Sequence, residues 1–308
     1  MTSFGNSDIE SGPGADFLGD TVGIEDVFGP TSIFYVPLVR QVIPRVFDVD
    51  YDFEDTRVFN EKAQNGVYGP EDLNRIVWRE ILFRAHIVVS VSLYRTCRLI
   101  DATVREHRAS NLPGWASCTR ALLEAIGDSF DALQAIPVTL AENHRFIRRC
   151  LSGQVRQYSG SKELEDKMIH FTHARHLKRE EKDRVPASHK AKPAGQYISE
   201  IGIPGARTLY GELCEYSHPT ASSVQYLFSV IDEGKATRVD PLRDEHKISS
   251  LIETYRTVFN NVLMVSFNPV LLSLRVFDAF QLFPNILELR NVNFSNIPAW
   301  AIIEKHLK

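Results

Sequence analysis

Four side chains that could do acid–base or nucleophilic chemistry lie within nine residues of one another. They are Tyr210, Cys214, Glu215 and His218 in the stretch YGELCEYSHP, and Pro219 ends the helix that carries them. On a helix, Tyr210, Cys214 and His218 follow one another at i, i+4 and i+8, so they face the same neighbour. Histidine titrates near neutral pH, which makes His218 the candidate general acid or base.

A second polar pair, Arg120 and Glu124, is embedded in the apolar pattern WASCTRALLEAI. Buried charges need partners, so if the two helices pack we expect Arg120 to pair with Glu215. Glu124 would accept a hydrogen bond from His218 or Tyr210. Two interpretations stay open: a satisfied polar core that locks the helices together, or a catalytic or ligand-binding site in which Arg120 anchors a phosphate.

An arginine followed by a histidine a few residues later occurs twice in the sequence, at Arg79 and His86 and at Arg184 and His189. Both pairs resemble the motif of the HEPN ribonucleases, in which an Arg and a His four to six residues apart cleave RNA without a metal ion. With this many arginines and histidines, however, about two matches are expected by chance. Arg79 and His86 also fall in an apolar helix, and the second pair flanks Pro186 in a loop, so neither is favoured as catalytic.

Three histidines, His170, His173 and His176, follow one another in the stretch MIHFTHARH. On a helix they fan across about 120°, so all three do not suit one metal ion, and no HExxH motif accompanies them. A solvated, charged face is the favoured interpretation. No phosphate-binding glycine loop, dinucleotide fingerprint or GxSxG motif is present, so neither a metal nor another cofactor is expected.

Composition limits the function classes further. The net charge of −4 provides no global attraction to nucleic acid, so phosphate binding would need a local basic patch. The four cysteines form no CxxC pair, which favours reduced, buried thiols over a zinc site. The first 39 residues contain no Lys or Arg and no apolar signal region, and no apolar stretch is long enough to span a bilayer. We therefore expect a cytoplasmic protein with no membrane association.

Hydrophobic periodicity predicts a mainly α fold: a multi-helix bundle with long central helices and minor or no β structure. Residues 1–30 are predicted to be a disordered acidic arm. Residues 31–69 contain β-branched and aromatic residues interrupted by Pro37 and Pro44, which predicts an extended wrapping segment. Residues 70–267 are predicted to form the bundle, and 268–308 a C-terminal helical extension that could be an interface.

Within the bundle, Pro70 followed by two acidic residues predicts the start of a long central helix. Residues 224–240 could form a hairpin or a frayed helix, and the sequence leaves this open. The predicted helices lie at 70–108, 111–136, 137–158, 163–184 and 204–217. A further long helix is predicted from 242, with a break at Pro269 after which another helix runs to about 280.

The stretches RALLEA and YGELCEYSHP together carry a resemblance. They are similar to an R-x-x-x-E helix and a Y-x-x-L-(S/C)-E-x-x-H-P helix of bacterial domains of unknown function, which look like distant relatives of the HEPN helical bundles. The resemblance covers about residues 70–265. It implies a nucleic-acid or defence role, because HEPN-type proteins are widespread in toxin–antitoxin and antiviral systems, often as RNA-cleaving dimers. His218 departs from the family pattern, since no Arg lies four to six residues before it.

The sequence therefore predicts a bacterial protein that binds or acts on nucleic acid in a defence or toxin-type system. The alternative is a non-catalytic scaffold or partner-binding module whose Arg120, Glu124, Glu215, His218 and Tyr210 cluster is structural. A homo-oligomer or a complex with a protein partner is expected through the apolar C-terminal third, where the intramolecular alternative is nearly as well supported. The ten residues that favour an interface are Leu271, Leu272, Leu274, Phe277, Phe280, Leu282, Phe283, Trp300, Ile302 and Ile303.

Overall fold

The computed structural model describes residues 23–181, 184–231 and 236–308. In these ranges the chain is mainly helical and has one two-stranded sheet, which confirms the mainly α multi-helix bundle. Two short 3-10 turns occur at Arg179–Glu181 and Ala187–His189. The helices are α1 (Ile24–Phe28), α2 (Thr31–Val46), α3 (Thr56–Gln64), α4 (Pro70–Arg108), α5 (Leu112–Leu133), α6 (Ile136–Glu142), α7 (His144–Leu151), α8 (Lys162–His173), α9 (Ala194–Glu200), α10 (Ala206–Ser217), α11 (Ser222–Gln225), α12 (Arg243–Thr254), α13 (Arg256–Phe277), α14 (Leu287–Arg290) and α15 (Pro298–Leu307).

The antiparallel pair α4 and α5 forms the centre of the bundle. Helix α4 has 39 residues, a length of about 58 Å, with Pro70 at its first turn and the basic residues Arg105, His107 and Arg108 in its last. The two acidic residues after Pro70 lie at the positive end of the helix dipole and the basic residues at its negative end, so both ends are stabilised. Helix α5 starts after Asn111, whose side chain accepts a hydrogen bond from Gly114 N. Both helix starts agree with the sequence prediction.

Helix α13 is the second core helix and packs against α2, α4, α5 and α6. In the described part of the chain it is the one helix long and apolar enough to cross a membrane, and 61% of its most apolar window is buried inside the protein. The sequence predicts a break at Pro269. The structure instead breaks at Tyr255, between α12 and α13, and Pro269 lies within the continuous α13.

The predicted extended segment at 31–69 contains the helices α2 and α3, so the prediction of extended structure is wrong for most of it. Helix α2 buries one face, including Val39, Val42 and Ile43, and contains both Pro37 and Pro44. A proline inside a helix costs about 3 kcal/mol or more, but burying an apolar face against α13 offsets it. The β-branched residues that indicated extended structure fill that buried face.

Part of the predicted disordered arm is also ordered. Residues 23–30 contain α1, which buries Ile24, Val27 and Phe28 and packs against α13, α2 and α4. Burial of these three apolar side chains outweighs the entropy cost of ordering this acidic, glycine-rich part of the chain. Residues 1–22 of the predicted arm lie outside the described residues.

Other boundaries differ from the prediction where a turn was missed. The helix predicted at 137–158 is two short helices, α6 and α7, and α7 ends before Gly153, which has a positive φ of 69°. The helix predicted at 163–184 ends at His173. The open question at 224–240 is answered by antiparallel strands β1 (Phe228–Ile231) and β2 (Ala236–Val239), with Phe228 opposite Val239 and Ile231 opposite Ala236.

The apolar C-terminal third packs mostly on its own chain. Of the ten residues that favoured an interface, Ile302 alone is exposed. Leu282, Phe283 and Trp300 are half-buried against the core, and the buried residues are Leu271, Leu272, Leu274, Phe277, Phe280 and Ile303. The surplus of apolar residues is therefore accounted for within the chain.

Candidate functional site

The contact between α5 and α10 brings an arginine and a histidine together. Arg120 Nη1 lies 2.7 Å from Nε2 of His218 and 3.1 Å from Oγ of Ser217, at the C-terminal end of α10. A guanidinium only donates hydrogen bonds, so Nε2 of His218 is the acceptor in this contact. His218 is exposed, and the side chain of Arg120 is 27% exposed. Solvent therefore reaches both members of the pair.

Glu124 connects this pair to Tyr210. The Tyr210 hydroxyl donates to Glu124 Oε1 at 2.7 Å, and Arg120 Nε lies 3.6 Å from the same oxygen. Burial raises the pKa of Tyr210, and the neighbouring Glu124 carboxylate raises it further. Tyr210 is thus held as a hydrogen-bond donor. Of the two donors predicted for Glu124, Tyr210 makes the contact, whereas His218 is the acceptor for Arg120 Nη1.

Glu215 does not join the cluster, so its predicted pairing with Arg120 is wrong. Its side chain is exposed, and no ion pair joins it to Arg120 within the described ranges. One residue further along a helix turns the side chain by about 100°, which carries Glu215 away from the face shared by Tyr210 and Cys214. Cys214 is half-buried on that face.

Glu212 is a carboxylate of α10 that the sequence reasoning missed. It accepts a hydrogen bond from the hydroxyl of Tyr255, the residue at the break between α12 and α13. Burial and this bond raise the pKa of Tyr255 to about 12. No sequence signal points to this contact, because the pattern predicts the break fourteen residues later.

The polar face of α5 continues past the cluster into a cleft. Asp128, four residues after Glu124, accepts from Arg95 Nη1 of α4 at 2.8 Å, and Asp131 binds Lys192 Nζ at 2.7 Å. Burial raises the pKa of Asp128, and Arg95 opposes that rise. The i, i+4, i+8 and i+11 spacing of the four charged residues from Arg120 onward was a signal that could have identified this face.

The cleft has a volume of about 400 Å³, within the range of small-ligand sites. His170 on α8 contributes a fixed ring: Nδ1 donates to the carbonyl of Ser188 at 2.9 Å, and Nε2 accepts from the Tyr197 hydroxyl at 2.6 Å. The charged residues at the cleft are already paired within the protein, Arg95 with Asp128 and Lys192 with Asp131. The cleft can admit a small polar molecule, but its charges stabilise the fold.

The other histidine candidates have structural or separate positions. His173 ends α8 and His176 lies beyond it, so the three histidines do not share one helix face. Within the described ranges, no group of three or more His, Cys, Asp or Glu side chains could hold a metal ion. His189 lies 5.5 Å from the ring of His173, and Arg184 is exposed in the same loop.

His86 is buried in an aromatic environment and does not pair with Arg79. Its ring stacks on Phe283 with centroids 4.2 Å apart, and its Nδ1 accepts from the Tyr51 hydroxyl at 2.7 Å. Burial lowers its pKa to about 4. Arg79 instead donates to the carbonyl of Asp52 at 3.1 Å. Arg79 and His86 therefore have different partners in the fold.

Three of the four cysteines lie where burial disfavours a thiolate. All four are free, with Cys97 and Cys150 buried and Cys118 and Cys214 half-buried. Burial raises the pKa of the thiols of Cys97, Cys118 and Cys150. A raised pKa keeps these groups protonated and weakly nucleophilic.

Comparison with known proteins adds no assignment, since no family model, no curated protein and no solved structure matches the chain. Functional inference therefore depends on the residues and their geometry.

Proposed function

We propose that this protein cleaves RNA without a metal ion, at the pair formed by His218 and Arg120, within a bacterial defence or toxin-type system. The observation that supports this most directly is the 2.7 Å contact between Arg120 Nη1 and Nε2 of an exposed His218, across 98 positions of the chain. The HEPN-like resemblance implies the same chemistry. In this chain the arginine comes from a different helix than in the family motif.

The proposed reaction begins when an RNA phosphate takes the guanidinium of Arg120 away from His218. Nε2 is then free to accept the proton of the adjacent 2′-hydroxyl. O2′ bonds to phosphorus, the bond from phosphorus to O5′ breaks, and O5′ takes a proton from water. Arg120 stabilises the negative charge that accumulates on the phosphoryl oxygens. The products are a 2′,3′-cyclic phosphate and a 5′-hydroxyl, and His218 returns its proton to solvent.

A second candidate function is a non-catalytic scaffold or partner-binding module. It is favoured by the way Arg120 joins Glu124 on its own helix to Ser217 and His218 at the end of α10. In this case the cluster fastens α5 to α10, and binding occurs elsewhere on the molecule. Removing one partner of such a network then costs stability instead of activity.

The test compares RNA cleavage and thermal stability for His218→Ala and Arg120→Ala. The purified protein is incubated with single-stranded RNA in EDTA, and the ends are analysed for 2′,3′-cyclic phosphate. Because His218 is exposed, we expect His218→Ala to change the unfolding free energy by no more than about 0.5 kcal/mol. The same variant is expected to lower cleavage by about a hundredfold or more, the usual contribution of a general base.

Glu215→Ala is the matched control, since this residue is exposed, lies on the same helix and is outside the cluster. It should retain both cleavage and stability. Cleavage that survives in His218→Ala, or wild-type protein that leaves RNA intact, contradicts the proposal. A melting temperature lowered in both cluster variants, with no cleavage by the wild type, supports the scaffold instead.

A further inference from the structure

A basic surface at the other end of the bundle has no role in the proposed reaction. The segment from His144 to Tyr158, which comprises α7 and the loop after it, contains four arginines and no acidic residue. Arg145, Arg148 and Arg149 are exposed and lie at i, i+3 and i+4, so they share one helix face. We call these three residues, together with Arg156, the α7 arginine surface.

The guanidinium groups of α7 are not used to stabilise the fold. Across the ranges that the structure describes, no hydrogen bond or ion pair engages the guanidinium of Arg145, Arg148 or Arg149. Arg156 is 92% exposed and lies 3.8 Å from the carboxylate of Glu71, a weak surface contact. Positively charged side chains stabilise the last turn of a helix through the helix dipole. This accounts for Arg148 and Arg149 but not for Arg145, which lies in the first turn. Helix stability alone therefore does not explain the set.

The opposite face of α7 is committed to the core. His144, Ile147 and Cys150 are buried, and Phe146 packs edge-on against Trp78 of α4 with ring centroids 6.1 Å apart. No apolar face is left to insert between lipid headgroups, as membrane-surface helices require. The surface thus presents fixed guanidinium groups to water, an arrangement that suits a hydrated polyanion.

We propose that the α7 arginine surface binds the phosphate backbone of single-stranded nucleic acid. Guanidinium groups donate in a fork that matches phosphate oxygens, and one face of three arginines can contact successive phosphates. Tyr158, two residues after Arg156, is 55% exposed and provides a ring on which a base can stack. The overall charge of −4 gives no global attraction to a polyanion, so this binding depends on the local arginines.

This surface is distinct from the site at His218. Helix α7 contacts α4 at Trp78, whereas Asp128 of α5 meets α4 at Arg95, about 25 Å further along the helix axis. Arg120 lies eight residues before Asp128 on the antiparallel α5, roughly 12 Å further in the same direction. The two features therefore occupy opposite ends of the α4–α5 pair, and binding at one does not require chemistry at the other.

The test measures binding of a fluorescent 20-nucleotide oligothymidylate, which lacks the 2′-hydroxyl and so cannot undergo the proposed cleavage. The triple variant Arg145→Gln, Arg148→Gln, Arg149→Gln is expected to bind about tenfold more weakly or worse at 0.1 M salt. Each lost phosphate contact lowers the steepness of log affinity against log salt by about 0.7, so losing three contacts should lower it by about 2. Tyr158→Ser should weaken binding further without changing the slope.

The control is a triple variant with the same change in charge, Arg57→Gln, Arg179→Gln, Arg238→Gln, at exposed positions on other elements. It is expected to bind within about twofold of the wild type. The proposal is overturned if the wild type does not bind at 0.05 M salt, or if the two triple variants weaken binding equally. Tighter binding to phosphatidylserine vesicles, or equal binding to a 20-residue polyglutamate, also overturns it. Cleavage at His218 can fail in its own assay without affecting this result.

Discussion

At the scale of single residues, His86 makes the stability of the core depend on pH. Burial lowers its pKa from 6.5 to about 4, so the folded protein keeps the ring neutral where the unfolded chain protonates it. Stability from this group is complete above pH 6.5 and is lost as the pH falls towards 4, by about 3 kcal/mol. His86→Phe keeps an aromatic ring against Phe283 and removes the titration. Urea unfolding at pH 6.5 and pH 4 should show a smaller loss for this variant by that amount.

Exposed His176 provides the control for the general effect of acid. His176→Gln should lose stability in parallel with the wild type between the same two pH values. If His86→Phe also follows the wild type, the buried ring is not the source of the pH dependence.

At the scale of elements, the close approach of α5 and α9 depends on Gly127. A Cβ atom at this position would lie 2.9 Å from both the carbonyl carbon and the Cβ of Tyr197. The backbone of α9 would have to move, and because Tyr197 also binds His170, the wall of the cleft would move with it. We expect Gly127→Ala to lower the unfolding free energy by about 1–3 kcal/mol, the usual cost of overpacking. Chemical denaturation measures this loss.

Gly211 is the matched control, because it also lies inside a helix but a methyl group added there would meet no other atom within 4 Å. Gly211→Ala should leave stability unchanged or raise it by up to about 1 kcal/mol through the lower entropy of the unfolded chain. Equal destabilisation by both substitutions would contradict a specific contact between α5 and α9.

At the scale of the whole molecule, the C-terminal third completes the core. Truncation after Phe267 would cut α13 within its continuous helix and remove Phe277 and Phe283, the rings that surround His86. We expect this protein to lose cooperative unfolding in circular dichroism and to expose apolar surface, because its core would be open to water. Truncation after Glu304, which retains buried Ile303, should unfold cooperatively. A soluble, cooperatively folded product of the first truncation would contradict this role.

A homodimer stays a prediction, but most of the apolar C-terminal surface that suggested it is not available for an interface. The C-terminal side chains that suggested an interface mostly cover the chain's own core. Sedimentation at micromolar concentration tests self-association, and a purely monomeric species contradicts it.

Helices that have a start signal and an apolar periodicity in their own residues could be predicted from the sequence. Pro70 and its acidic neighbours marked the start of α4, and the apolar periodicity after Pro113 identified α5. The polar residues on the two helices also indicated that Glu124 would meet Tyr210 or His218, and Tyr210 makes this contact. These features follow from propensity, capping and periodicity, which act over a few turns of chain.

Tertiary structure decided the features that depend on distant neighbours. Packing against α13 makes α2 a helix in spite of Pro37 and Pro44, since apolar burial outweighs the local cost of proline. The partner of Arg120 is His218 instead of Glu215, because the rotation of α10 against α5 decides which polar side chains meet. The arginines of α7 likewise become a surface only when the fold buries the opposite face of their helix, and no ion pair engages their guanidinium groups within the described ranges. Burial and pairing are properties of the assembled bundle, which no local pattern contains.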